Sequence, residues 1–108
     1  HMIMIESNHD VEMLKSGSYP YPLKQRILGD KGHLSNDAAG ELIAHLAEKG
    51  TRHFILGHLS RENNFPQLAY QTVYNVLQSR KIIVGKDVYL DVAERDKVGK
   101  FLLQGSLK

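Results

Sequence analysis

The sequence predicts an α/β layer, a short sheet covered by helices. Three observations carry that expectation. The apolar runs Ile3-Met4-Ile5 and Phe54-Ile55-Leu56 have the length and side-chain content of strands. Two longer segments, Ala39 to Ala47 and Leu68 to Leu77, repeat apolar residues every three or four positions, as an amphipathic helix does. These segments follow one another as strand, short helix, helix, strand, helix, strands, the kind of succession that lays helices over a sheet.

The chain has 108 residues, enough for one modest domain with a single core. His1-Met2 reads as a cloning remnant, so His1 is not counted as a ligand; 3–93 is expected to form the domain, and 94–108 a tail or an edge strand. With 14 Lys and Arg against 12 Asp and Glu, the net charge of +2 falls far short of a dedicated nucleic-acid module. There is no cysteine, which excludes thiolate zinc sites and disulfides and permits a reducing compartment. No apolar run approaches the ~18 residues of a membrane helix. The expectation is a cytoplasmic protein with no membrane association.

Taken in order, the first strand should end near Glu6, and Ser7 or Asn8 should cap a short helix over Asp10 to Lys15 that stops at Gly17. Tyr19-Pro20-Tyr21-Pro22 fixes two φ angles and predicts a stiff connector. Its tyrosines suit either a rigid elbow or a stacking surface for a nucleobase. Leu23 to Leu28 can form a turn or two of helix before the loop from Gly29 to Asn36. Ser35 or Asn36 should cap the next helix, whose apolar face is Ala39, Leu42, Ile43, Leu46 and Ala47, with Gly50 closing it. His45 should lie on its surface and His53 in half-buried packing on the following strand.

Gly57 is expected to let the backbone turn and deliver His58 onto a loop at a strand's C-terminal edge, where ligands collect in open α/β sheets. Asn63 and Asn64 are cap candidates, and Pro66 suits a first helical turn. Leu68, Ala69, Thr72, Val73, Val76 and Leu77 should form the buried face of the second long helix, which ends near Arg80. Ile82-Ile83-Val84, a turn at Gly85-Lys86-Asp87, and Val88 to Ala93 then predict strand, turn, strand. Phe101-Leu102-Leu103 is either an edge strand or a chain end without a fixed place.

Gly-His-Leu-Ser occurs twice, at Gly32 to Ser35 and Gly57 to Ser60, each time before a capped helix. Two readings follow: coincidence at two useful loops, or two imidazoles facing one cleft. Those segments, with the strand ending Ile5-Glu6-Ser7-Asn8, resemble the C-terminal half of metallo-β-lactamase-fold hydrolases, on the phosphodiesterase and nuclease side that includes RNase Z-like enzymes. Glu6 to Leu14, Leu23 to Ile27 and the run Gly57 to Asn64 are similar to the bacterial WalJ (YycJ) branch in particular, and the likeness extends to about Ala93.

The resemblance implies one αβ half of an αββα sandwich, with a metal site between the sheet edges that holds zinc or manganese. It implies that His58 is a metal ligand, that His33 is a catalytic proton donor or charge stabiliser beside the scissile phosphate, and that Glu6 is its acidic companion. In the WalJ branch the implied activity is exonucleolytic cleavage of DNA. The chain departs from the pattern in lacking His-x-His-x-Asp-His and the other ligands of the N-terminal half. The expectation is therefore a C-terminal fragment, inactive alone and without a tightly bound metal, whose partner is the missing half and whose orphaned sheet favours a homo-oligomer. Two other classes stand beside it. One is a non-catalytic interaction or oligomerisation domain derived from the same fold; the other is a nucleic-acid-binding accessory piece using Lys24, Arg26, Lys31 and Arg61.

Overall fold

Ile5, Phe54, Leu56, Leu90 and Val92 are each no more than 6% exposed and share one apolar cluster with residues of two helices. Because side chains alternate across a strand, burying these residues under helices turns the intervening ones to the opposite face. The computed structural model describes residues 2–28 and 32–93, and the backbone of 101–102. β1 (Met2–Glu6), β2 (His53–Gly57) and β3 (Tyr89–Ala93) run parallel and adjacent, and β4 (Phe101–Leu102) pairs antiparallel with β3. The mixed α/β class is thus as expected. Leu103, the rest of the tail and residues 29–31, with the candidate Lys31, lie outside the described residues.

The helices are α1 (Val11–Ser16), α2 (Tyr21–Leu28), α3 (Asn36–Glu48) and α4 (Pro66–Ser79). Helices α3 and α4 supply Ala39, Ile43, Ala44, Ala69, Val73 and Leu77 to the core. Gly40 lets them approach closely: a Cβ there would stand 2.8 Å from Val76 Cβ. Leu42, expected in the buried face, is exposed, because the helix rotates Gly40 and Ala44 toward α4 instead. His45 is exposed, and His53 is half-buried with its ring stacked 5.1 Å from that of Tyr89.

Other departures are local. Asp10, not Ser7 or Asn8, caps α1 by accepting from Met13 N at 3.0 Å. Helix α2 begins at Tyr21, so Pro22 sits in a first turn, where its missing N–H costs nothing. Ser35 caps α3 through Ala38 N, but α4 starts from Phe65 with no side-chain cap. Ile82 to Val84 form no named strand. Ile83 O accepts from Lys86 and Asp87, and Asp87 Oδ2 accepts from Ile83 N, closing a tight loop in which only Val84 and Val88 pair.

The face of the sheet away from α3 and α4 carries Met2, Met4, His53, Ile55, Gly57, Tyr89 and Asp91. Met2 and Met4 are 37% and 46% exposed there, whereas Ile55 and Asp91 are buried. Among the described residues, no helix is long and apolar enough to cross a membrane.

Candidate active site at the strand C-terminal edge

Beyond Glu6 the chain keeps an extended path and is held on both sides. Ser7 N donates to Gly57 O (3.0 Å), Asn8 N to Leu34 O (2.9 Å), Ser60 N to Asn8 O (2.7 Å), Asn36 N to His9 O (2.8 Å) and Asp10 N to Asn63 O (2.8 Å). Residues 7–10 therefore lie between the two Gly-His-Leu-Ser segments, and both loops share Asn8 as a backbone partner. The repeated tetrapeptide is explained by position: each copy lines one side of the strand that carries Glu6.

The Glu6 carboxylate is fixed by two donors. Its Oε1 accepts from Leu34 N at 3.1 Å, and its Oε2 meets His33 Nδ1 at 2.7 Å. A carboxylate can only accept, so Nδ1 carries the proton and Nε2 is the free nitrogen of the ring. The His33 side chain is 55% exposed, so that nitrogen is accessible to a substrate. The expected Glu6–His33 pair is thus one unit in space, although 27 positions separate the residues.

His58 stands on the adjacent loop, and its side chain is exposed. Its φ is +57°, a region that non-glycine residues adopt uncommonly and at a cost of about 1 kcal/mol or more. Asn8 Nδ2 holds that conformation by donating to His58 O at 2.9 Å. The turn is therefore made at His58, not at Gly57 as expected. A Cβ at Gly57 would lie 2.7 Å from Met4 Sδ on the neighbouring strand, so a larger residue there would displace that flexible side chain.

Beneath the loops lies a buried polar network that the sequence analysis did not identify. Ser7 Oγ donates to Asn36 Oδ1 (2.6 Å). The Asn36 and Asn64 amides bond reciprocally at 3.0 and 2.9 Å, and Asn64 Nδ2 also donates to Ser7 O (2.9 Å). All three residues are at most 4% exposed. Each belongs to one of the segments that carry Glu6, His33 and His58, so the network clamps the three candidate residues into one frame. Ser and Asn next to helix starts resemble ordinary caps in a sequence, which hid this role.

His9 is buried beside the pair, 1% exposed. Burial holds its pKa below the ordinary 6.5, and the nearby His33 adds to that shift while Glu6 and Asp10 oppose it. The folded chain thus binds this proton less readily than the unfolded one, so stability is full above pH 6.5 and is lost as pH falls through the folded value. Urea unfolding at pH 7.5 and pH 5.0 should show lower stability at pH 5.0, and His9→Gln should reduce the difference. An unchanged difference would remove His9 as its source.

Among the described residues, no three His, Cys, Asp or Glu side chains come together as a metal site. The donors present thus do not by themselves fit a catalytic zinc, which takes three protein ligands. What the edge does present is a carboxylate-oriented imidazole, suited to proton transfer, and on the loop at the other side of residues 7–10 a second exposed imidazole, His58, which lines neither of the two clefts that border His33.

An α/β sheet with a carboxylate-oriented histidine at its strand ends is an arrangement suited to ligand binding and general acid–base chemistry. The chain's relatives are more particular. It is 50% identical over 84 residues to exodeoxyribonuclease WalJ of Streptococcus pneumoniae strains D39 and R6, a match covering 78% of this chain and 31% of the relative. It is 45% identical over 83 residues to exodeoxyribonuclease YycJ of Bacillus anthracis, covering 77% and 31%. The chain spans about a third of the length of these curated relatives, and over most of its own length it is a homologue of part of the WalJ/YycJ exodeoxyribonucleases, as the sequence resemblance indicated. No protein-family model and no solved structure matches it.

Proposed function

We propose that this chain is the C-terminal αβ half of a metallo-β-lactamase-fold, metal-dependent phosphodiesterase that removes nucleotides from DNA ends once its N-terminal half is in place. The observation that carries the proposal is the Glu6–His33 pair at 2.7 Å on the C-terminal edge of a parallel sheet. In the charged form, His33 donates a proton from Nε2 to a leaving oxygen or stabilises the phosphate, while Glu6 orients the ring and balances its charge. His58 contributes one imidazole to a zinc or manganese site whose other donors come from the missing half. The relatives' names and the one-third coverage support a nuclease assignment and a partial chain.

The partner half packs on the face bearing Met2, Met4, His53 and Tyr89. Without it, the exposed Met2 and Met4 on that face drive copies of the chain to self-associate. Mixing the chain with the remainder of a relative's sequence tests both points. Light scattering should show self-associated chain converting to a one-to-one complex, and end-labelled DNA should then be shortened in the presence of manganese or zinc. Neither half should act alone, and His58→Ala should abolish the reconstituted activity. Turnover by the isolated chain that is lost in His58→Ala would contradict the proposal. A stable complex that leaves DNA intact would favour an interaction domain.

A further inference from the structure

Positive charge gathers at the edge of the sheet opposite the candidate site. Because β1, β2 and β3 run parallel, their N-terminal ends meet there with the C-terminal ends of α3 and α4. Positions 48–52 and 80–87, which lie along that edge, hold five Lys and Arg against two Asp and Glu. Helix ends account for part of this. Lys49 and Arg80 are the C-caps of α3 and α4, where a cation offsets partial negative charge, and Arg80 also pairs with Glu41. Arg52 and Lys86 have no such explanation.

A cavity of about 810 Å³ opens at this edge, lined by Ile3, Lys49, Gly50, Thr51, Arg52 and His53. Arg52 Nη2 donates to Lys86 O at 3.0 Å, which draws the two basic segments together. The guanidinium has no ion-pair partner among the described residues, and the Lys49 ammonium has no partner of any kind there. The space is far larger than a bare anion needs, and its walls mix an aliphatic side chain and an imidazole ring with two cations. They suit a stretch of polypeptide that carries carboxylates. His53, stacked on Tyr89, belongs also to the open face of the sheet, so the cavity continues the surface on which the N-terminal half is proposed to pack. β1 starts at this edge with Met2 paired to His53, so a segment that leads into it from that half passes the cavity.

We infer, on the proposed two-half architecture, that this cavity is a socket for an acidic segment of the N-terminal half, whose carboxylates meet Arg52 and Lys49. Burial of Met2 and Met4 is indifferent to the partner's charge. The socket adds selection: it speeds encounter with an acidic segment and penalises a basic one.

The test mixes the chain with the remainder of a relative's sequence and follows complex formation by titration calorimetry at low and high salt. Salt should weaken the wild-type complex. At low salt Arg52→Glu and Lys49→Glu should each weaken it about tenfold, and Arg52→Lys should retain most of the affinity. Lys15→Glu makes the same charge change on α1, at the other edge, and should leave affinity unchanged. Circular dichroism checks that each variant folds; Lys49→Glu breaks no side-chain bond and serves if loss of the Arg52–Lys86 bond unfolds the other. Equal affinity for wild type and both Glu variants, or an equal loss in Lys15→Glu, would overturn the inference and leave the two-half architecture standing. Inorganic phosphate that binds at Arg52 while the complex ignores both substitutions would overturn it in favour of a small-anion site. A complex that depends on Arg52 and Lys49 but shortens no DNA would uphold the socket and remove the hydrolase function. No complex with the wild-type chain would remove both.

Discussion

Asn36→Leu is expected to destabilise the fold by about 3 kcal/mol and to lower the thermal midpoint by roughly 10–20 °C. Leucine has nearly the same shape but neither donor nor acceptor. It would leave Ser7 Oγ without its 2.6 Å acceptor and strip Asn64 of both reciprocal amide bonds in a site almost closed to water. An unsatisfied buried polar group costs about 1–3 kcal/mol, and the groups stranded here are neighbours. Ser35→Ala, one residue earlier, removes only the α3 cap bond to Ala38 N and should cost about 1 kcal/mol. Urea denaturation of the two variants separates these effects. A loss below 1 kcal/mol for Asn36→Leu would show that the network is expendable to stability.

In the reconstituted protein, His33→Ala is expected to lower kcat/KM by about 10²–10⁴-fold, the usual contribution of a positioned proton donor. Glu6→Gln should have a smaller effect. Its amide oxygen can still accept from Leu34 N, so the backbone stays anchored, but its other atom can no longer accept from His33 Nδ1. The two residues act as a unit, so the double variant should be little worse than His33→Ala alone. Rates that multiply independently would mean that Glu6 does not act through the histidine. A shortfall confined to KM would assign His33 to binding and not to the chemical step.

The placement of these residues shows how far local pattern reaches. Strands β1 and β2, helices α3 and α4, the Ser35 cap and the Gly17 stop follow from signals a few residues long, apolar period and capping chemistry, which the chain carries wherever it is placed. Ile82 to Val84 has strand composition, yet forms a tight loop, because a β-branched run does not specify a pairing partner. Leu42 fits the helical stripe by spacing, but the close approach at Gly40 decided which face of α3 is buried.

At the candidate site the division is similar. The two Gly-His-Leu-Ser segments and Glu6 stand out in the sequence as reactive residue types at strand ends. The 2.7 Å bond between Glu6 and His33, the positive φ of His58 held by Asn8, and the closed circuit of Ser7, Asn36 and Asn64 join positions 27 to 57 residues apart. By itself the sequence determined which residues could do chemistry and which segments become helix or strand, since both depend on near neighbours. Tertiary structure alone decided which polar groups meet, because parallel pairing of β1 with β2 brings distant loops to one edge, where each must satisfy the hydrogen bonds of the others.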